Sequence, residues 1–262
     1  MSDVPISGAI GYFYYKYKEK LIWILEDNHS NQVYCSSKKF TDQSSLIGIF
    51  RICSNQNLWR IVIEEPEDEF KNLAILVNEF NIPHVNEMRE FKQTNIEKRD
   101  IRFHPKLQFE FLTEERIRTL IKPYNIPLLL KIQNKIVEAY KYCLDSSGET
   151  EEDFYANYYD SLYNWVCKDQ NILAKCIGRN QCIQIFMDWL FEAHLLATCF
   201  ECEKNIMIYI GAWHSRSINM FFQHNIIEDM TLQDTFHNPL MSNKEKSCIE
   251  VKHQSIIDLL KS

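Results

Sequence analysis

Glycine is scarce in this chain, which has six glycines among 262 residues. Average usage of about 7% would give roughly 18. The strings GxGxxG and GxxxxGK[ST] are both absent, so the chain lacks the glycine-rich loops that cradle phosphates in dinucleotide-binding and P-loop proteins. The scarcity also argues against a collagen-like chain, a low-complexity chain and a flexible linker.

Long apolar runs are absent as well. No run reaches the roughly 18 apolar residues of a transmembrane helix, and the polar, acidic first residues do not resemble a signal peptide. Nine cysteines without a secretion signal predict reduced thiols and a cytoplasmic location. A net charge of −7 argues against nonspecific binding to nucleic acid or to an anionic membrane.

Short apolar runs are present, and they predict strands. They cover Leu21–Leu25, Trp59–Ile63 and Ile206–Ile210, with a weaker run at Ile101–Phe103. Apart from Arg60 and Arg102, their residues are apolar at consecutive positions, and many are β-branched or aromatic. This pattern is typical of parallel strands that are buried on both faces of a sheet.

Segments with helical periodicity lie between and beside these runs. They are Glu67–Asn81, Thr113–Ile121, Leu128–Leu144 and Gln181–Cys202. Strands that alternate with helices predict an α/β fold with a mainly parallel central sheet flanked by helices. We expect a single domain over residues 1–262, with a mostly helical insertion or subdomain around residues 113–200.

Polar residues follow or flank the predicted strands in a repeated pattern. Ligands bind outside the carboxyl ends of strands in open parallel sheets, so neighbouring strands would bring these residues to one edge. The candidates are Asp27, His29, Glu64, Asp100, Arg102 and His214.

The residue types favour hydrolytic chemistry. A neutral imidazole binds a metal or accepts a proton near neutral pH, so His29 and His214 are candidate catalytic residues. With Asp27 and Glu64 they form a candidate metal-ligand set that suits Zn²⁺, Mn²⁺ or Fe²⁺. Alternatively, a carboxylate orients a histidine base without a metal. The structural alternative is that the two histidines only cap the ends of strands and bond to the backbone there.

Arg102 is the fourth candidate catalytic residue, with His29, His214 and Glu64. A planar guanidinium favours carboxylate or phosphate partners, so Arg102 would bind a substrate carboxylate or stabilise developing negative charge. A structural salt bridge with Asp100 is the alternative for this residue.

Several of these segments resemble the erythromycin esterase/ChaN-like and TraB/Tiki superfamily. ILEDNHS is similar to its opening motif, a strand followed by Gly-acid-x-His, and RIVIEEP is similar to its second-strand glutamate. RDIRF resembles an Asp-x-Arg element of some members, and MDWLFEAHLL with NIMIYIGAWHS resembles the closing helix and strand that end in Gly-x-x-His. The combination is also similar to uncharacterised proteins of this type encoded by large DNA viruses.

The resemblance implies a role for each matching position. His29 and His214 match the two motif histidines. Asp27 matches the acidic residue of the opening motif, Glu64 matches the second-strand glutamate, and Gly211 matches the glycine of the closing motif. One departure is Glu26, which stands in the place of the glycine of the opening motif. In the superfamily, erythromycin esterases are hydrolases in which a histidine activates water, Tiki-type members are metal-dependent peptidases, and ChaN-type members bind haem.

These observations predict a hydrolase that cleaves ester or peptide bonds in a small-molecule or peptide substrate. Its site would lie at the carboxyl ends of the strands, with a divalent metal as the candidate cofactor. The alternative is a non-catalytic module that keeps the fold and binds a ligand such as haem, or acts through a protein partner. Glu26 in the place of the motif glycine favours this alternative.

Overall fold

The structure is a computed structural model that describes residues 4–7, 9, 11–27, 46–55, 58–64, 96–104, 107–147, 161–176, 178–201, 203–225, 227–237 and 248–251. The chain divides into two compact units. The first unit comprises Met1–Arg99, Glu203–Arg216 and Glu228–Ser262. The second comprises Asp100–Cys202 and Ser217–Ile227.

The described strands belong to the first unit. They are β1 (Val4–Ser7), β2 (Gly11–Tyr17), β3 (Lys20–Asp27), β4 (Trp59–Ile63), β5 (Ile96–Lys98), β6 (Asn205–Gly211), β7 (Met230–His237) and β8 (Cys248–Val251). Six of them form one sheet in the order β5-β4-β6-β3-β2-β7, and β1 pairs with β8 separately. The pairs β5·β4, β4·β6 and β6·β3 are parallel, whereas β3·β2 and β2·β7 are antiparallel.

The described helices are α1 (Leu46–Asn55), α2 (Glu114–Leu120), α3 (Pro127–Asp145), α4 (Leu162–Cys167), α5 (Arg179–Thr198) and α6 (Ala212–His224). Short 3-10 helices cover Ile101–Phe103, Phe109–Phe111 and Leu173–Lys175. Helix α6 starts directly after β6, and its first five residues belong to the first unit. No described helix has both the length and the apolar composition that a bilayer crossing requires.

Both faces of the central strands are buried, as their unbroken apolar runs predict. One face carries Trp23 and Leu25 of β3 and Tyr209 of β6, which form a core with Phe50 of α1. The intervening residues of each strand, such as Ile24, point to the other face, and Ile24 is fully buried there. Each large apolar side chain buried in this way contributes about 1.5–3 kcal/mol to folding.

The regular secondary structure in the described residues of the second unit is helical. Helix α2 begins after Thr113, whose hydroxyl accepts a 3.2 Å hydrogen bond from the backbone N–H of Arg116. An aromatic cluster connects α3 and α5. The ring centres of Tyr140 of α3 and Phe186 of α5 lie 5.8 Å apart, and both rings contact Phe109.

The predicted α/β fold with a mainly parallel central sheet is confirmed. Three predicted strands are confirmed as β3, β4 and β6, and they are neighbours in the sheet. The predicted strand at Ile101–Phe103 is wrong, because this segment is a 3-10 helix. Its first turn is closed by Asp100, whose Oδ1 accepts a 3.2 Å hydrogen bond from the backbone N–H of Arg102. The predicted helix at Glu67–Asn81 lies outside the described residues.

Candidate functional site

Three of the predicted residues in the first unit lie at the carboxyl ends of three neighbouring parallel strands. Asp27 is the last residue of β3 and is paired in register with Gly211, the last residue of β6. Glu64 directly follows β4, on the other side of β6. His214 lies in the first turn of α6, three residues after Gly211. The parallel order of the strands therefore places these residues at one edge of the sheet.

Glu64 extends the hydrogen-bond ladder beyond the end of β4. Its backbone N–H donates to the carbonyl of Tyr209 at 3.0 Å. Two residues further along β6, the N–H of Gly211 faces the same neighbouring strand, and it donates to Oε2 of Glu64 at 2.6 Å. The carboxylate thus occupies the position that a backbone carbonyl of β4 would take, which fixes one of its two oxygens.

The second oxygen of Glu64 faces His214. Its Oε1 lies 3.6 Å from Nε2 of the imidazole, and the two side chains are 9% and 10% exposed, respectively. This separation is longer than that of a good hydrogen bond. The two side chains form an ion pair when the imidazole is protonated. Both side chains are therefore close enough to act on one small group, and the shielding from water strengthens their mutual interaction.

Asp27 is buried at the same edge, with 4% of its surface exposed. Side chains alternate between faces along a strand, so Asp27 lies on the face that carries Trp23 and Leu25. Its backbone is beside Gly211. Sequence reasoning placed Asp27 and Glu64 at one edge, and register and topology agree with that placement.

Glu26 forms a buried network that the sequence did not indicate. It is fully buried, and its Oε1 accepts a 2.7 Å hydrogen bond from the hydroxyl of Ser215 in α6. The same oxygen lies 3.5 Å from Nε of Arg216. Gly11 of β2 is the register partner of Glu26, and a Cβ there would overlap the carboxylate, 2.9 Å from its Cδ. The signal available in the sequence was Gly11 itself, one of six glycines.

Arg102 lies in the second unit, within a cluster of ion pairs. Its Nε and one terminal nitrogen each donate at 2.9 Å to the two oxygens of Asp100. Its other terminal nitrogen donates at 2.8 Å to Asp188 of α5, and its guanidinium lies 4.6 Å from the ring centre of Phe191. This bidentate arrangement is the structural salt bridge that the sequence left open. The catalytic role of Arg102 stays a prediction, and His29 lies outside the described residues.

The donor types at the edge suit a divalent metal ion. Two ligands held about 2.0–2.1 Å from a tetrahedral zinc lie roughly 3.4 Å from each other. The 3.6 Å separation between Nε2 of His214 and Oε1 of Glu64 is close to that value. Within the part of the chain that the structure describes, no group of three or more His, Cys, Asp or Glu side chains could hold a metal. His29 is the predicted ligand that this finding does not cover.

Comparison of the chain with protein-family models, with curated proteins and with solved structures finds no match. The resemblance to the esterase and peptidase superfamily therefore stays a prediction.

Proposed function

We propose that this chain is a hydrolase that cleaves ester or peptide bonds, with His214 and Glu64 at the centre of its site. One observation carries the proposal: the Glu64 carboxylate is held by the Gly211 N–H through one oxygen and faces Nε2 of His214 with the other. Asp27 at the same edge and His29 belong to the proposed site on the pattern of the sequence. The same motifs carry the resemblance to known hydrolases.

In the proposed reaction, His214 removes a proton from a water molecule as the water oxygen attacks the carbonyl carbon of the substrate. The C–O or C–N bond then breaks, and the imidazolium returns the proton to the leaving group. Glu64 stabilises the imidazolium, because its Oε1 is 3.6 Å from Nε2. Negative charge that develops on the carbonyl oxygen is favoured near the amino-terminal end of α6, where the helix dipole is positive.

A divalent metal would be held by His214 and Glu64, with His29 as the further predicted ligand; Asp27, also predicted as a ligand, does not form a group of three with them that could hold a metal. When bound, such an ion supplies a water molecule with a lowered pKa and polarises the carbonyl group of a substrate.

The test is hydrolysis of short-chain p-nitrophenyl esters and short peptides by the purified protein and its variants. We expect His214→Gln and Glu64→Gln each to lower kcat/KM by about 100-fold, which is the lower range for loss of a general base. His194→Gln is the matched control, because His194 is a half-buried histidine of α5 whose Nδ1 lies 3.0 Å from the carbonyl oxygen of Leu120. Equal activity of wild type and His214→Gln, or equal losses in His214→Gln and His194→Gln, would contradict the proposal.

The second candidate is a non-catalytic module that binds haem or another ligand at this edge, or that acts through a protein partner. The presence of Glu26 in the place of the motif glycine favours it. Elemental analysis and the visible spectrum of the same preparation separate the two. Bound Mn, Fe or Zn that is lost in His214→Gln supports the metal-dependent hydrolase. A Soret band without hydrolysis supports the haem-binding alternative.

A further inference from the structure

The first turn of α6 is connected to both strands that flank β6. On the β4 side, Glu64 faces His214 and accepts the N–H of Gly211. On the β3 side, Glu26 accepts the hydroxyl of Ser215, the residue next to His214. Two carboxylates from opposite sides therefore hold the short segment that carries the imidazole.

The Glu26 connection is fully shielded from water. Glu26 and Ser215 are both fully buried, and the Ser215 hydroxyl also lies 3.0 Å from the carbonyl oxygen of Ala212, the first residue of α6. Arg216 lies one residue further along the helix, with its Nε 3.5 Å from Glu26. Hydrogen bonds that involve a charged group in such surroundings are stronger than neutral ones, so they fix the position of the turn.

The room for the Glu26 carboxylate comes from β2. Gly11 is opposite Glu26 in the antiparallel pair, and any side chain there would overlap the carboxylate. The two adjacent strands β2 and β3 and the distant helix α6 therefore contribute to one contact: Gly11 provides the space, Glu26 accepts the hydrogen bond and Ser215 donates it.

We propose that Glu26 is a positioning residue for His214. It acts through Ser215 and Arg216 and sets the distance between the imidazole of His214 and the Glu64 carboxylate. This inference rests on the proposed role of His214. A displacement of about 1 Å at a reacting group can lower a rate by roughly 100-fold. A catalytic imidazole therefore needs interactions, such as the Glu26–Ser215 hydrogen bond, that fix its position.

The chain offers a matched pair of substitutions for the test. Ser215→Ala removes the hydroxyl that donates to Glu26. Ser217→Ala removes a second buried hydroxyl of the same helix, which donates to the buried Glu192 at 2.5 Å. Both variants lose one oxygen atom and leave one buried carboxylate without that hydroxyl, so we expect similar losses of stability.

Two measurements on each variant separate positioning from stability. The first is the imidazole Hε1–Cε1 NMR signal of His214 at a fixed pH, identified among the eight histidines by its absence in His214→Gln. The second is kcat and KM for the best ester or peptide. We expect Ser215→Ala to move the His214 signal and to lower kcat by about ten- to 100-fold with less change in KM. Ser217→Ala should leave the signal and kcat close to those of the wild type.

Glu26→Gln is a third variant that still tests the proposal if Ser215→Ala does not fold. Glu26→Gln keeps an oxygen that can accept the Ser215 hydrogen bond but removes the charge that faces Arg216, so it should move the His214 signal less than Ser215→Ala does. An unchanged His214 signal in both folded Ser215→Ala and Glu26→Gln would overturn the positioning role. Equal changes in Ser215→Ala and Ser217→Ala would overturn it too. If the wild type hydrolyses nothing, the proposed function fails, while the NMR signals still decide whether Glu26 positions His214.

Discussion

The Glu64–His214 pair and the Arg102 cluster are both built from residues that the sequence marks as candidates, yet their local geometry differs. Arg102 donates three hydrogen bonds of 2.8–2.9 Å to Asp100 and Asp188 and lies against Phe191. Glu64 and His214 approach each other only to 3.6 Å, and the nearer contact of Glu64 is the 2.6 Å bond from Gly211.

The difference separates a guanidinium that is hydrogen-bonded at short distance to both of its partners from an imidazole and a carboxylate that face each other without a short hydrogen bond. A guanidinium that is bonded to two carboxylates stabilises the fold, because each charge has a partner at short distance. An imidazole nitrogen 3.6 Å from a carboxylate oxygen is close to the separation of two ligands of one zinc ion.

Removal of Arg102 should produce the largest change in stability. Arg102→Met leaves Asp100, which is 5% exposed, without its bidentate partner, and we expect the free energy of unfolding to fall by about 2–3 kcal/mol. Lys141→Met is the control, because Lys141 and Glu114 form an exposed pair at 3.0 Å, and its loss should cost much less stability than the loss of Arg102. Urea denaturation measures both. Similar losses in the two variants would show that the Arg102 cluster does not stabilise the fold as its geometry indicates.

Acid should weaken a second ion-pair cluster of this kind, formed by Glu97, Arg60 and Arg99 in the first unit. Burial raises the pKa of Glu97, but hydrogen bonds and charges from Arg60 and Arg99 outweigh it, so the pKa lies below its ordinary value of 4.5. A lowered pKa contributes stability that is present above the pKa of the unfolded chain and is lost as pH falls through that of the folded chain.

The stability difference between wild type and Glu97→Gln should therefore be largest at neutral pH and shrink as pH falls below about 4.5. Urea denaturation over pH 7 to about 3 measures it. A difference that stays constant over this range would mean that the arginines do not hold the Glu97 carboxylate in its charged form.

Much of the sheet could be predicted from the sequence because β3, β4 and β6 contain short, mostly apolar runs. Distance to the partner does not explain which strands escaped prediction, because the predicted β3 pairs with β6 more than 180 residues away, whereas the unpredicted β2 pairs with β3, the next strand along the chain. The strand β2 is rich in tyrosine instead of aliphatic residues, and its Tyr12 donates a 2.6 Å hydrogen bond to Asp234 of β7. Ile101–Phe103 was predicted to be a strand because its residues favour one, but the Asp100 cap closes a helical turn there.

The candidate site could be predicted only in part, for a related reason. Glu64 and His214 follow strands that the sequence identifies, so their common edge follows from parallel order. The environment of Glu26 depends on Gly11, which is opposite it in an antiparallel pair that the sequence did not predict. The ion pair between Arg102 and Asp188 likewise joins residues 86 positions apart, a contact that spacing along the chain does not reveal.

The most direct test of a joint Glu64–His214 site is a double-mutant cycle on kcat/KM for the best substrate. Residues that act as one unit give strongly non-additive losses. If each single variant, Glu64→Gln and His214→Gln, loses about 100-fold, we expect the double variant to lose about as much as the slower single variant. Losses that multiply to about 10⁴-fold would show that the two residues act independently and would contradict the site described above.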